Sequence, residues 1–393
     1  MSSHAEAVVS PKGALRWTSG HPWIFRSDVV RFPDVDAGAV RVVDRKGAVL
    51  GWALWSPRSE IALRLLTRDA GATIDAQWWH ARLAEAVERR RALEGLTTAC
   101  RLVHGEGDGL PSLVCDRFDR WLVVQLLSAG VERYRTDICD ALQTITGCQG
   151  ILARNDPGIR EKEGLPRATE LLRGDVPHEI EVDEHGVRYL AAPWTGQKTG
   201  AFLDQRENRV RIGGLTRGRA LDCFSYHGSF ALHLARSATS VVAIDSSADA
   251  LARARANAER NELANIEFVE ANAFDWLRDA ERSGARFETV VVDPPAFAKN
   301  RASLGNALRG YHEINLRAMR LLAPGGLMFT ASCSYHLTKP RFLEMLEGAA
   351  ADSGRRMALR ELTGQPLDHP EILSIPETGY LKGALVEAMG EGR

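Results

Sequence analysis

The chain has 393 residues, 45% hydrophobic and 26% charged, with 35 glycines, 16 prolines and a formal net charge of −1. These values exclude disordered, collagenous and coiled-coil chains, and at about 150 residues per domain they predict two or three domains with a sizeable core. Six scattered cysteines with no C-x-x-C pair suggest neither a zinc site nor a disulfide framework. No run approaches about 18 uncharged apolar residues, and Met1-Ser2-Ser3-His4-Ala5-Glu6 lacks a basic segment followed by an apolar one, so a cytoplasmic protein without membrane contact is expected. Charge is uneven: ten Lys and Arg face seven Asp and Glu over 1–70, 14 face 20 over 71–186, and 26 face 24 over 187–393. Any nucleic-acid surface must therefore be a local patch.

In chain order, residues 1–70 read as short strands, Ala39–Asp44, Ala48–Trp55 and Ile61–Leu66, with turn material such as Asp44-Arg45-Lys46-Gly47 between them. A small β-barrel is expected. Trp17, Trp23, Trp52 and Trp55 lie here beside Lys12, Arg16, Arg26, Arg58 and Arg64, a mixture that suits base stacking and phosphate contacts or, alternatively, tryptophans filling the barrel core. From Ile74 to Leu93 the apolar spacing is helical, and Arg89-Arg90-Arg91 is expected to form a solvated face. Strand-like runs at Ser112–Asp116 and Trp121–Leu126 and a helical run from Glu132 to Ile145 make the middle segment α+β. The expected division is 1–70, 71–186 and 187–393.

After Gly218 strand and helix alternate. The apolar runs Arg219–Cys223, Ser240–Asp245, Ile266–Val269, Glu288–Asp293 and Gly326–Ala331 predict a doubly wound parallel α/β domain whose ligands bind beyond the C-terminal strand ends. A helix is predicted from Ala248 to Asn261, with Ala250, Leu251, Ala254 and Ala258 on its buried face and Ser246 or Ser247 as its cap.

Four strand ends carry polar groups. The first runs into Asp222-Cys223-Phe224-Ser225-Tyr226-His227-Gly228, which lacks the G-x-G-x-x-G that cradles a pyrophosphate; an acidic strand end with a tight loop suits a cofactor without phosphates. Asp245 ends the second, where a carboxylate can accept from a ribose diol or simply cap the next helix. The fourth continues as Asp293-Pro294-Pro295-Ala296-Phe297, whose prolines stiffly define the positions of Asp293 and Phe297. The fifth ends in Ser332-Cys333-Ser334, placing there either a reactive thiol or an inert small hydrophobe.

Taken in order, Asp222-x-Phe224-Ser225-Tyr226-x-Gly228, Asp245-Ser246-Ser247, Asp293-Pro294-Pro295-Ala296-Phe297 and Ser332-Cys333-Ser334 resemble the successive motifs of a class I S-adenosylmethionine-dependent methyltransferase. Upstream, Gly196-Gln197-Lys198-Thr199-Gly200-Ala201-Phe202-Leu203-Asp204-Gln205-Arg206 resembles the signature preceding that fold in 23S rRNA (cytosine-5)-methyltransferases of the RlmI type. Gly20-His21-Pro22-Trp23-Ile24-Phe25 resembles the start of that family's PUA domain, an RNA-binding β-barrel. The resemblance spans nearly the whole chain. It implies a PUA barrel, a middle α+β domain and a Rossmann-like methyltransferase domain.

The resemblance further implies that Cys333 attacks C6 of a flipped cytosine, with Asp293 at the N3/N4 edge and near the cofactor and Phe297 stacking on the base. S-adenosyl-L-methionine would be held by Asp245 and Ser246 at the ribose, by Asp222, Phe224, Ser225, Tyr226 and Gly228 on the methionine side, and by Asn272 and Ala273 near the adenine. Related enzymes commonly carry Asp where Asn272 stands, a departure that still leaves a carbonyl acceptor. Gln197, Lys198, Phe202 and Asp204 would line the cofactor or substrate pocket, though Lys198 also reads as a surface charge. Another group of RNA cytosine-5 methyltransferases carries a second cysteine in the Asp-Pro-Pro motif; here the C5 proton needs another base, for which His336 is one candidate. The implied partner is large-subunit rRNA, naked or partly assembled, and a homodimer is left open. Three alternatives compete: an N-methyltransferase using Asp293-Pro294-Pro295, a non-catalytic rRNA-binding assembly factor, and a nicotinamide-dependent oxidoreductase, which the missing glycines oppose.

Overall fold

The computed structural model describes residues 5–298 and 302–390. The chain divides into two compact units, the first running to Val182 and including Ala191–Leu203 and Leu367–Gly379, the second comprising Asp183–Leu190, Asp204–Pro366 and the segment from Tyr380. Among the described residues no helix is long and apolar enough to cross a membrane.

In the first unit, a six-stranded sheet contains the hairpin Gly38–Val43 and Val49–Trp55, followed by Leu63–Thr67. Its turn closes because the Asp44 carboxylate accepts the amide protons of Lys46 and Ala48 at 2.8 and 2.9 Å, and Gly47 takes φ +83°. Trp17 and Trp55 are buried with Ile24, Val40 and Val42, so these tryptophans fill a core. Trp52 is buried too, with Trp79, Leu83 and the five-stranded middle sheet, while the half-buried Trp23 donates its indole N–H to Glu106 at 2.9 Å.

The middle sheet has the order 168–174, 150–155, 121–126, 113–118, 99–104. The helix expected from Ile74 is Ala76–Glu88, capped by Asp75, and the region ends in a separate 3-10 turn, Arg91–Leu93. Arg90 corrects the solvated-face expectation. It is 4% exposed, pairs with Asp108 at 2.6 Å, and donates to the carbonyls of Ala86, Arg101 and Asp368. A guanidinium can be buried when its fixed fork of donors is satisfied in this way. The helical run expected over Glu132 to Ile145 is two helices, Ala129–Glu132 and Arg135–Thr146, the second ending where Gly147 turns left-handed.

The second unit is built on seven strands: β1 (Arg219–Cys223), β2 (Ser240–Asp245), β3 (Ile266–Glu270), β4 (Phe287–Val292), β5 (Leu322–Ser332), β6 (Met357–Thr363) and β7 (Lys382–Ala388), in the order β3-β2-β1-β4-β5-β7-β6. Strands β1 to β5 pair in parallel, and β7 runs antiparallel to both β5 and β6. Helices α1 (Arg206–Leu215), α2 (Ser229–Ala235), α3 (Ala248–Arg260), α4 (Ala273–Arg282), α5 (Leu304–Arg320) and α6 (Lys339–Ser353) accompany them. Apolar clusters around Ile212, Phe230 and Leu234, and around Leu277, Ile314 and Phe342, pack with the strands. Ser247, rather than Ser246, caps α3 by accepting from the Ala250 amide at 3.2 Å. The strand order reverses between β1 and β4, and in open α/β sheets ligands bind outside the carboxyl ends of the strands at such a switch point.

Candidate active site

Asp245, Asp222, Asp293 and Cys333 leave the C-terminal ends of β2, β1, β4 and β5, which are consecutive neighbours in the sheet. Sheet order therefore brings together residues spread over more than a hundred positions of sequence.

The turn after β1 is strained in a regular way. Phe224, Tyr226 and Gly228 have φ of +65°, +51° and +86°, and the two aromatic residues hold a left-handed conformation that costs roughly 1–2 kcal/mol each. Asp245 helps to hold it, its Oδ2 accepting the Tyr226 amide proton at 2.8 Å while Oδ1 accepts that of Ser247 at 2.9 Å. The Ser225 amide donates to the Ile244 carbonyl at 2.9 Å, fastening the turn to β2. A Cβ on Gly228 would lie 3.1 Å from Cβ of Ala254 on α3, so this position requires glycine on two counts.

Asp222 is fully buried. Its Oδ2 accepts from the Ser225 hydroxyl at 2.7 Å and the Ala231 amide at 3.0 Å, whereas Oδ1 has no hydrogen-bond partner. Burial pushes its pKa up to about 7, against the two hydrogen bonds and with the nearby charges of Asp293 and Asp245 adding to the rise. The cluster is thus an acceptor-rich, negative site with one unfilled acceptor.

Asp293 is half-buried, and its Oδ1 accepts from Nε2 of Gln205 at 2.8 Å. Gln205 is buried, as is Asn208, which donates to Oε1 of Gln205 at 2.6 Å. Phe297 is half-buried in an aromatic group, 4.7 Å from Tyr311 and 6.0 Å from Phe274 between ring centres.

Cys333 is half-exposed, whereas the other five cysteines are buried. Burial raises the thiol pKa of Cys115, Cys139, Cys148 and Cys223, and for Cys139 the value is about 11. Its neighbours Ser332 and Ser334 are buried. The Ser334 hydroxyl meets the Tyr311 hydroxyl at 2.9 Å and accepts the Ala298 amide proton at 3.3 Å, while its carbonyl accepts from Lys382 at 2.7 Å. The loop after β4 and the loop after β5 are laced into one wall.

The remaining expected residues are placed as follows. Asn272 is exposed and caps α4 by accepting the Phe274 amide proton at 2.9 Å; Ala273 is buried and Ser246 exposed. Asp204 is buried in the second unit and accepts from the Tyr380 hydroxyl at 2.8 Å. Gln197, Lys198 and Phe202 belong to the first unit, where the Lys198 ammonium sits 4.7 Å above the Phe202 ring and Thr199 donates to Asp116 at 2.6 Å. His336 is half-buried, its ring edge-on to Tyr335 at 5.3 Å. Gln205 has no task of its own in the sequence motifs, and Asn208, Tyr311 and Lys382 lie outside them. Of these only Lys382 had a signal, a lone cation opening an apolar run.

Comparison with known proteins adds to this geometry. A family model described as a PUA-like domain matches residues 7–68, and one described as an S-adenosylmethionine-dependent methyltransferase matches residues 100–379. The chain is 40% identical over 378 residues to ribosomal RNA large subunit methyltransferase I of Aeromonas salmonicida, covering 94% of this chain and 95% of the relative. It is 39% identical over 379 residues to the protein of the same name from Salmonella enteritidis, covering 94% of each. Among solved structures, a candidate SAM-dependent methyltransferase from Streptococcus mutans aligns with a TM-score of 0.82 at 20% identity, over 98% of this chain and 100% of that one. The candidate methyltransferase SMU.776 complexed with SAH gives 0.83 at 21%, with the same coverage. At these identities the two structures share the fold.

Proposed function

The chain belongs to the S-adenosylmethionine-dependent methyltransferases, in the family of the ribosomal RNA large subunit methyltransferase I proteins, and we propose that it methylates C5 of a cytosine in large-subunit rRNA through a covalent adduct on Cys333. The observation that carries this reading is the placement of Cys333, half-exposed at the end of β5 while the other cysteines are buried, next in the sheet to the strand that ends in Asp293.

The residues fit the cofactor on structural grounds. Oδ1 of Asp222, buried without a hydrogen-bond partner among three carboxylate-bearing strand ends, matches a cationic amino group. The turn before α2, with Phe224, Ser225, Tyr226 and Gly228, is assigned the methionine side, Asp245 with Ser246 the ribose diol, and Asn272 and Ala273 the adenine, with Asp204 in the pocket wall. When bound, S-adenosylmethionine supplies an electrophilic methyl carbon on a sulfonium.

C5 of cytosine is a weak nucleophile, and addition of a thiolate to C6 makes it enamine-like. The Cys333 sulfur forms a bond to C6 as the C5–C6 π pair moves onto C5. Asp293, held by Gln205, is assigned the N3/N4 edge, where it orients the base and stabilises the adduct. Once C5 carries its new group, loss of the C5 proton to a base re-forms the double bond and expels the Cys333 thiolate. Phe297 is assigned the face of the flipped base. In this division residues 1–70 bind RNA, 71–186 form a middle α+β domain and 187–393 carry the chemistry.

The test is nucleoside mass spectrometry of rRNA from cells lacking the gene, complemented with wild type or Cys333→Ala. Loss of 5-methylcytidine from one large-subunit site, restored by wild type alone, is expected. Loss of an N-methylated base, or full restoration by Cys333→Ala, overturns the reading.

A further inference from the structure

Helices α5 and α6 leave the loops that follow β4 and β5, so their opening turns stand at the strand ends that carry Asp293 and Cys333. The two helices pack against each other and leave a groove of about 540 Å³. Leu308, Arg309 and His312 of α5 line it together with Arg341, Glu344 and Met345 of α6. Tyr335, on the loop that joins Cys333 to α6, is 53% exposed.

Charge along this groove is graded. Residues 302–310 and 334–343 hold three cations, Arg309, Lys339 and Arg341, and no Asp or Glu. Acids begin further from the strand ends: Glu344 lies in the second turn of α6, and Asp352 near its end meets His312 at 3.1 Å. Arg309 and Arg341 are exposed, and among the described residues neither meets a carboxylate. The first turn of α6 carries Lys339 and Arg341 without an acid although the helix dipole disfavours cations there, so helix stability does not account for them. An exposed aromatic ring on a loop leading to a basic groove combines a stacking face with phosphate donors, the two elements that hold single-stranded nucleic acid.

We propose that Tyr335 and the basic end of this groove bind the single-stranded rRNA that flanks the target cytosine. A flipped base leaves its neighbours unstacked, and the strand beside it must be held while the chemistry proceeds. Tyr335, two residues beyond Cys333, takes the face of an adjacent base. Arg309 and Arg341 take the phosphates that follow, with the half-buried Leu308 and the buried Met345 as an apolar floor. Glu344 marks the far end of the track, where its charge repels further phosphates. The inference rests on the reading that an rRNA base is the substrate at Cys333, but binding along the groove can be measured without methylation.

The experiment measures, in the full-length protein, the binding of a short fluorescent single-stranded RNA with a central cytidine by anisotropy across a salt series, for wild type, the double variant Arg309→Ala/Arg341→Ala, Tyr335→Ala and Tyr335→Phe. The double variant is expected to lose about tenfold in affinity and to flatten the slope of log affinity against log salt by about 1.4, the share of two phosphates on a single strand. Tyr335→Ala loses about tenfold with the slope unchanged, and Tyr335→Phe keeps most of the affinity. In methylation assays KM for RNA rises by the same factors with kcat retained, and retained S-adenosylmethionine affinity shows that the variants fold. Unchanged affinity and slope in the double variant, or unchanged affinity in Tyr335→Ala, overturns the proposal. So does a variant that binds and methylates naked RNA as wild type does but fails on ribosomal particles, because the groove then holds a ribosomal protein. If Cys333→Ala methylates normally while affinity and slope still respond to the arginines, the nucleophile reading fails and the RNA surface stands.

Discussion

Gln205 turns its amide nitrogen toward Asp293 because Asn208 holds its amide oxygen. The Asn208 amide donates to Gln205 Oε1 at 2.6 Å, and Gln205 Nε2 donates to Asp293 Oδ1 at 2.8 Å. Gln205 and Asn208 are both buried, so water does not compete for these bonds. The carboxylate assigned to the substrate base is thus oriented from α1 and the turn before it, far away in sequence.

Replacing Gln205 by Leu removes a charge-assisted hydrogen bond worth about 1.5–3 kcal/mol. The expected result is a roughly ten- to hundredfold fall in kcat with S-adenosylmethionine affinity nearly unchanged, read by single-turnover methylation and calorimetry. Equal losses in cofactor binding would place Gln205 at the cofactor instead.

Asp222 makes the site sensitive to pH. Its folded pKa, pushed up to about 7 chiefly by burial, lies above the usual unfolded value of about 3.9. The folded state therefore holds a proton that the unfolded state has lost, and this contribution to stability disappears as pH rises from about 4 through 7. Asp222→Asn removes the dependence. In urea melts the variant should gain on wild type by more than about 1 kcal/mol between pH 4 and pH 8. It should bind S-adenosylmethionine more weakly, without the rise in affinity toward neutral pH expected of wild type. Parallel pH profiles for the two proteins would refute this.

The pair Glu184 and Arg209 ties the segment Asp183–Leu190 to α1 within the second unit. Both are buried, with oxygen to nitrogen distances of 2.6 and 2.7 Å, and His233 lies 3.0 Å from the same carboxylate. Burial works against the Glu184 charge, but Arg209 and His233 outweigh it and hold the carboxyl below its usual range. Glu184→Gln removes the carboxylate that Arg209 meets through two nitrogens and that His233 also approaches, and should cost about 3–5 kcal/mol at neutral pH. Because the folded pKa is depressed, the wild-type advantage is complete above about pH 4.5 and shrinks as pH falls below it. Chemical unfolding at pH 7 and pH 3.5 measures both effects.

Gly228→Ala tests the strained turn. The substitution sets a Cβ against Ala254 at 3.1 Å with φ at +86°, a conformation that costs an L-residue about 1 kcal/mol or more. Weaker S-adenosylmethionine binding, with RNA affinity retained, is the expected result in paired titrations.

Much of this site was legible in sequence because parallel sheets write their strands as short apolar runs with polar ends. The bounds Arg219–Cys223 and Ser240–Asp245 coincide with the strands found, and the cap of α3 lies at one of the two serines considered. The antiparallel strands β6 and β7 went unread. Met357–Thr363 alternates weakly, and Lys382 masks the start of a buried run. Arg90 was misread because charge patterning in a helix cannot reveal that Asp108 and three carbonyls wait in the interior. Gln205 and Lys382 escaped for the same reason: their tasks are set by partners 88 and 48 residues away, and one sequence carries no trace of such pairings.

The central claim is the covalent bond between Cys333 and the base. Its most direct test incubates the protein and S-adenosylmethionine with an rRNA fragment carrying 5-fluorocytidine at the modified position, where fluorine blocks loss from C5. The account predicts a stable protein–RNA species on a denaturing gel, with the mass of both components plus one methyl group and the link at Cys333, absent for Cys333→Ala. Absence of that species from wild type that methylates the unfluorinated fragment would contradict the account.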